Sequence, residues 1–104
     1  LAGRDGHDDL VVDPVRAGLP LTTIIAFDVA NNKVPVAIKA LAGYEQVKWV
    51  STTTGRYDIL AMAAFHSAQE LSGFLQHEVA KIEGLRNTET YICLEISKEP
   101  YIPL

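Results

Sequence analysis

Apolar and polar residues alternate along four stretches of this chain and recur at helical spacing in two others. The run "LTTIIAFDV" at 21–29 is β-branched and aromatic, with Ile25, Phe27 and Val29 on one face and Ile24, Ala26 and Asp28 on the other. That pattern predicts a strand with both faces largely covered. Asn31 and Asn32 are candidate caps and Pro35 suits a first turn, so "VPVAIKALA" predicts a short helix burying Val34, Ile38 and Leu41 and ending at Gly43. "VKWVSTTT" at 47–54 alternates Val47, Trp49, Ser51 and Thr53 against Lys48, Val50, Thr52 and Thr54, as a strand does between unlike surroundings. "YDILAMAAF" at 57–65 predicts the returning strand, across a hairpin whose Gly55 supplies a positive φ. Ser67 and Glu70 form a capping box for a longer helix, in which Leu71, Phe74, Leu75, Val79 and Ile82 share a face until Gly84. "TETYICLEI" at 88–96 sets Thr88, Thr90, Ile92, Leu94 and Ile96 against Glu89, Tyr91, Cys93 and Glu95 and predicts the last strand.

The flanks are less regular. Residues 1–9, "LAGRDGHDD", read as a mobile tail or linker remnant, "LVV" at 10–12 as a short strand, "RAGLP" at 16–20 as a turn, and "SKEPYIPL" at 97–104 as an extended end. Residues 10–104 are then one domain. The order strand, helix, strand, strand, helix, strand predicts an α+β, ferredoxin-like βαββαβ sandwich, a four-stranded antiparallel sheet with both helices on one face. The other face would carry Ile24, Ala26, Val50, Leu60, Met62, Tyr91 and Cys93. An apolar surface of that size predicts a homodimer packed sheet against sheet.

Composition narrows the classes. At 104 residues and 48% hydrophobic content the chain fits one compact domain and not two. Thirteen acids against nine bases give a net charge of −4, and Arg4, Arg16, Arg56 and Arg86 are scattered. No footprint for a phosphate backbone results, so this chain alone is not expected to bind DNA. The single cysteine, Cys93, forms no internal disulfide, which agrees with a reducing cytosol. No apolar run approaches the roughly 18 residues of a membrane span and no leader pattern opens the chain, so a soluble cytoplasmic protein without membrane contact is expected. His7, His66 and His77 lack metal-ligand spacing, and neither a phosphate-binding glycine loop nor a nucleophile elbow is present. No metal, no cofactor and no catalytic activity are expected.

The stretches "VDPVRAGLPLTTIIAFDV", "VKWVSTTTGRYDILAMAAF" and "SAQELSGFLQHEVAKIEGLRNTETYICLEI" together resemble the C-terminal effector-binding (RAM) domain of the leucine-responsive regulatory protein/AsnC family of transcriptional regulators. The resemblance covers residues 11–97. It rests on a threonine-glycine-x-tyrosine-aspartate turn at Thr54, Gly55, Arg56, Tyr57 and Asp58, and on Gly84 followed by a threonine-rich strand at 88–90. It implies dimers formed through the sheets, further assembly into rings or octamers, and a small ligand, usually an amino acid, held between subunits near the glycine turn. It also implies an N-terminal helix-turn-helix, for which residues 1–9 offer no material. Contact with DNA is therefore expected only through a missing domain, and the start at Leu1 favours removal of that domain over a short relative that lacks it.

Given an amino acid, the turn has suitable chemistry. Backbone N–H groups at Gly55 and Arg56 can form a nest for a carboxylate. Asp58 can accept from the ammonium in a charge-assisted bond. Tyr57 offers a wall and a hydroxyl, and Thr88 and Thr90 offer hydroxyls from the same or a neighbouring subunit. The candidate ligand-binding residues are thus Thr54, Gly55, Arg56, Tyr57, Asp58, Thr88 and Thr90. Plainer roles stay open for each: a hairpin glycine, an aspartate capping the turn, packing for Tyr57, solvated Arg56, and threonines chosen for strand propensity. Two other functions also stay open. One is a stand-alone ligand-binding or assembly domain without DNA binding. The other is a small dimeric α+β-barrel enzyme, which requires His66 or His77 to line a cleft between helix and sheet.

Overall fold

The computed structural model describes residues 21–98. The short strand at 10–12, the turn at 16–20, the tail at 1–9 and residues 99–104 lie outside them. Strand β1 (Leu21–Val29) leads through a 3-10 turn (Asn31–Lys33) into helix α1 (Val34–Ala42), then β2 (Val47–Thr52) and β3 (Ile59–Phe65). Helix α2 (Ala68–Gly73) runs on through a π turn (Phe74–Glu78) and a 3-10 turn (Val79–Lys81) to β4 (Leu85–Ile92). The sheet order is β2-β3-β1-β4 and every hydrogen-bonded pair is antiparallel. This is the ferredoxin-like arrangement expected from the element order: the α1 crossover skips one position, which β3 fills.

The core lies between the sheet and the helices. Ile25, Phe27 and Val29 of β1 and Ile59, Ala63 and Phe65 of β3 are fully buried beneath Ala37 and Leu41 of α1 and Leu71, Phe74 and Val79 of the second helix. Phe74 anchors this layer, tilted 5.3 Å from the Phe65 ring and edge-on at 5.2 Å to Tyr44. Phe74 and Val79 both face inward although they are five residues apart, and the π turn between them makes that spacing possible.

Several sequence expectations need correction. Asn31 and Asn32 sit exposed in the 3-10 turn and make no side-chain cap; α1 buries Ala37 and Leu41, whereas Val34 and Ile38 are only partly buried. Glu70 completes the start of α2 by accepting the His66 N–H at 2.6 Å, while the Ser67 hydroxyl accepts the Glu70 N–H. Strand β4 starts at Leu85 and ends at Ile92, so it opens three residues before the threonine run, and Leu94 beyond it is fully exposed.

The largest correction concerns β2. Val47 pairs with Ala63 but Trp49 pairs with Met62, so Lys48 is an extra residue in the ladder. One inserted residue reverses the alternation after it. Val50 therefore turns to the helix side and packs on the core, and Trp49, half-exposed, joins Ile24, Leu60, Met62 and Tyr91 on the open face. No described element covers that face.

Gly84 closes the second crossover. Its φ is +86°, its carbonyl accepts the Ala30 N–H at 2.9 Å, and a Cβ there would collide with the base of the Lys33 side chain. Gly84→Ala is expected to cost about 1–3 kcal/mol, measured as a lower urea midpoint. Gly73→Ala, which meets open space inside α2, should be neutral or stabilise by up to about 1 kcal/mol.

Candidate functional site

The site is built on the β2–β3 connection. The β1–β3 ladder ends at Phe27 opposite Ile59, where the chain swings away into the turn. Asp58 continues the ladder by other means. Its N–H donates to the Phe27 carbonyl at 2.9 Å, and its carboxylate accepts the Val29 N–H at 2.8 Å. Its own carbonyl accepts the Thr53 N–H at 2.9 Å, and the Thr53 hydroxyl donates to the Tyr57 carbonyl at 2.8 Å. Between these bonds Gly55 adopts φ +110° with open space around it, so backbone conformation alone requires glycine there.

Pinned in this way, the turn lays Arg56 and Tyr57 over the end of the sheet. The Tyr57 hydroxyl donates to Glu89 Oε1 at 2.7 Å, and Tyr91 follows Glu89 on the same face of β4. The Arg56 guanidinium lies 5.5 Å from the Tyr57 ring centroid. Opposite, Arg86 Nε stands 3.8 Å from Asp28 and its Nη2 donates to the Val29 carbonyl at 3.3 Å. Beside these groups lies an open hollow of about 270 Å³ lined by Asp28, Arg56, Tyr57, Asn87, Thr88 and Glu89.

Register explains the membership. Glu89 lies opposite Ala26 and Asn87 opposite Asp28, on the face away from the helices; Thr88 and Thr90 lie opposite Phe27 and Ile25, on the helix side. Of the sequence-predicted residues, Arg56, Tyr57 and Thr88 line the hollow. Thr54 is exposed on the turn, Gly55 shapes it, Asp58 is bound to Val29, and half-buried Thr90 lies beyond the lining. Sequence reasoning missed Asp28, Asn87 and Glu89. The available signal was an acid interrupting an otherwise apolar face at Asp28 and again at Glu89.

The bonds to Glu89 set the ionisation of the cluster. The hydrogen bond to Glu89 raises the Tyr57 and Tyr91 hydroxyls above the ordinary tyrosine value of 10.0, and the phenol bonds, from Tyr57 first, hold the Glu89 carboxyl below its ordinary 4.5. Each shift therefore favours the bonded form. The Glu89 contribution is present above the unfolded carboxylate value and fades as pH falls through the lowered one. The phenol contribution is present below 10.0 and fades as pH rises through the raised values.

Elsewhere His66 is exposed and 3.0 Å from Glu70, and His77 is exposed on the π turn, so neither histidine lines a cleft between helices and sheet. Among the described residues no group of three His, Cys, Asp or Glu is placed to hold a metal, and no helix is long and apolar enough to cross a membrane. Cys93 is half-buried just past β4, with its N–H on the Thr22 carbonyl.

Residues 22–103 match the family model of the Lrp/AsnC ligand binding domain, and the chain belongs to that family. It is 35% identical over 91 residues to an uncharacterised HTH-type transcriptional regulator of Pyrococcus furiosus, covering 88% of this chain and 62% of that protein. The chain thus spans about three fifths of that relative's length. The solved structure of E. coli AsnC superposes with a TM-score of 0.81 at 25% identity, over 88% of this chain and 62% of that one. A transcriptional regulator of Neisseria meningitidis in complex with L-Met superposes with a TM-score of 0.79 at 16% identity, over 98% and 71%, and shares the fold.

Asp58→Ala leaves the Val29 N–H unpaired and is expected to cost about 1–3 kcal/mol in denaturant unfolding, with Asp58→Asn retaining most of that stability through its amide oxygen. Glu89→Gln should move part of the tyrosine absorbance titration to lower pH; an unchanged curve would contradict the Tyr57–Glu89 bonding.

Proposed function

We propose that the hollow beside Gly55 holds a free amino acid and that its occupancy sets how copies of this chain assemble. One observation carries the reading: Glu89, held by the Tyr57 phenol, and Arg56 offer opposite charges to a single small hollow. A zwitterion is matched by that pair. Its carboxylate meets the Arg56 guanidinium and the N–H groups of the turn, and its ammonium meets Glu89, with charge-assisted bonds at both ends. The L-methionine bound to the meningococcal regulator belongs to this ligand class.

The hollow opens at the rim of the uncovered sheet face, where Trp49 and Tyr91 are each 51% exposed. Packing of that face against a second copy gives the homodimer and puts the site at a contact between protomers, from which larger rings can form. In this reading residues 10–104 are the ligand-binding and assembly unit, residues 1–9 a linker, and the DNA contact of a cytoplasmic transcriptional regulator is made by a helix-turn-helix outside this chain. An effector that binds two assemblies with a tenfold difference in affinity shifts their balance by about 1.4 kcal/mol. The exposed positions of His66 and His77 favour sensing over catalysis.

Thermal-shift measurements against the twenty amino acids and their D-enantiomers test the reading. A stereospecific rise in Tm for at least one, lost in Arg56→Ala, is the expected result, with stabilisation of about 2.7 kcal/mol at a hundred times Kd. Silence across the whole panel would overturn it. Light scattering should give a dimer or larger species, reduced to monomer by Ile24→Glu on the open face.

A further inference from the structure

We infer that the amino acid taken by this hollow carries a cationic side chain, a basic amino acid in preference to an aliphatic one; the inference rests on the amino-acid reading above. The lining residues, Asp28, Arg56, Tyr57, Asn87, Thr88 and Glu89, are all polar or charged in kind, with no aliphatic residue among them. Asp28, Glu89 and Arg56 of the lining sum to one negative charge, which Arg86, 3.8 Å from Asp28 and outside the lining, offsets in part. The two ends of a zwitterion use Arg56 and one acid, which leaves the second acid facing whatever the side chain brings.

Strand register separates the two acids. Glu89 pairs with Ala26, two residues before Asp28 on the same face, so the carboxylates are diagonal neighbours across the β1–β4 ladder, with Cβ atoms about 7–8 Å apart in such pairs. Glu89 is committed to the Tyr57 phenol yet keeps acceptor capacity, because an ionised carboxylate offers about four lone-pair sites. Among the described residues Asp28 is paired with Arg86, at 3.8 Å in an exposed geometry that binds weakly. A side-chain ammonium or guanidinium in the hollow reaches Asp28 where solvent is partly excluded. An aliphatic side chain there strips water from Asp28 and Asn87 and replaces none of their hydrogen bonds.

Calorimetric titration of the chain with L-lysine, L-arginine, L-leucine, L-methionine and L-glutamate decides the matter. L-lysine or L-arginine should bind at least tenfold tighter than the other three, and Asp28→Asn should shrink that margin while leaving the ligand-free Tm within a few degrees. Leucine, methionine or glutamate binding as tightly as the basic pair overturns the side-chain inference and leaves the amino-acid reading intact. Absence of binding for all five and for the remaining amino acids overturns both.

Discussion

The bond from the Val29 N–H to the Asp58 carboxylate is the constraint on which the site depends. It stands where the next rung of the β1–β3 ladder would be, after β3 has already turned away. Without it, the tip carrying Gly55, Arg56 and Tyr57 is joined to the sheet chiefly by the Asp58 backbone. With it, the Tyr57 hydroxyl lies 2.7 Å from Glu89 on the far edge strand, and Arg56 and Tyr57 become one wall of a hollow. An acid and a phenol at the first step out of a turn thus have separate tasks: the acid anchors the turn, and the phenol positions a second acid.

The open face depends on an equally small feature. Lys48 is the extra residue that turns Val50 inward and Trp49 outward. The helix side gains an aliphatic contact, and the open side gains a large aromatic beside Met62. A flat ring at the edge of a half-buried sheet suits an interface better than a core, because its area is large and it gives up few rotamers on binding. The same insertion therefore serves packing within the chain and prepares the surface that a second copy would cover.

Much of this was legible in the sequence, and the failures share a cause. The strands, both helices, the capping serine, the positive φ of Gly55 and the sheet topology follow from local periodicity and turn chemistry. Trp49 and Val50 were assigned to the wrong faces because a bulge is a property of two paired strands and leaves no mark in one. Asn31 and Asn32 have the composition of caps, but the chain there is held by Gly84 across the fold, a contact between residues more than fifty apart. Asp58 was read as a ligand for an ammonium or as a turn cap, and its bond reaches β1, the strand that the turn crosses. Glu89 and Asp28 were placed on the correct face by alternation, yet their meeting with Tyr57 and Arg56 depends on the register of three strands. Contacts set by register are those a single sequence does not display.

The central claim is that an amino acid sits where the turn meets β4. Backbone amide chemical shifts of the isotope-labelled chain, followed while the twenty L-amino acids are added in pools and then singly, test it most directly. The account predicts saturable shifts concentrated at Gly55, Arg56, Tyr57, Asn87, Thr88 and Glu89. Shifts confined to the helix side, or none in these six amides at saturating ligand, would contradict it.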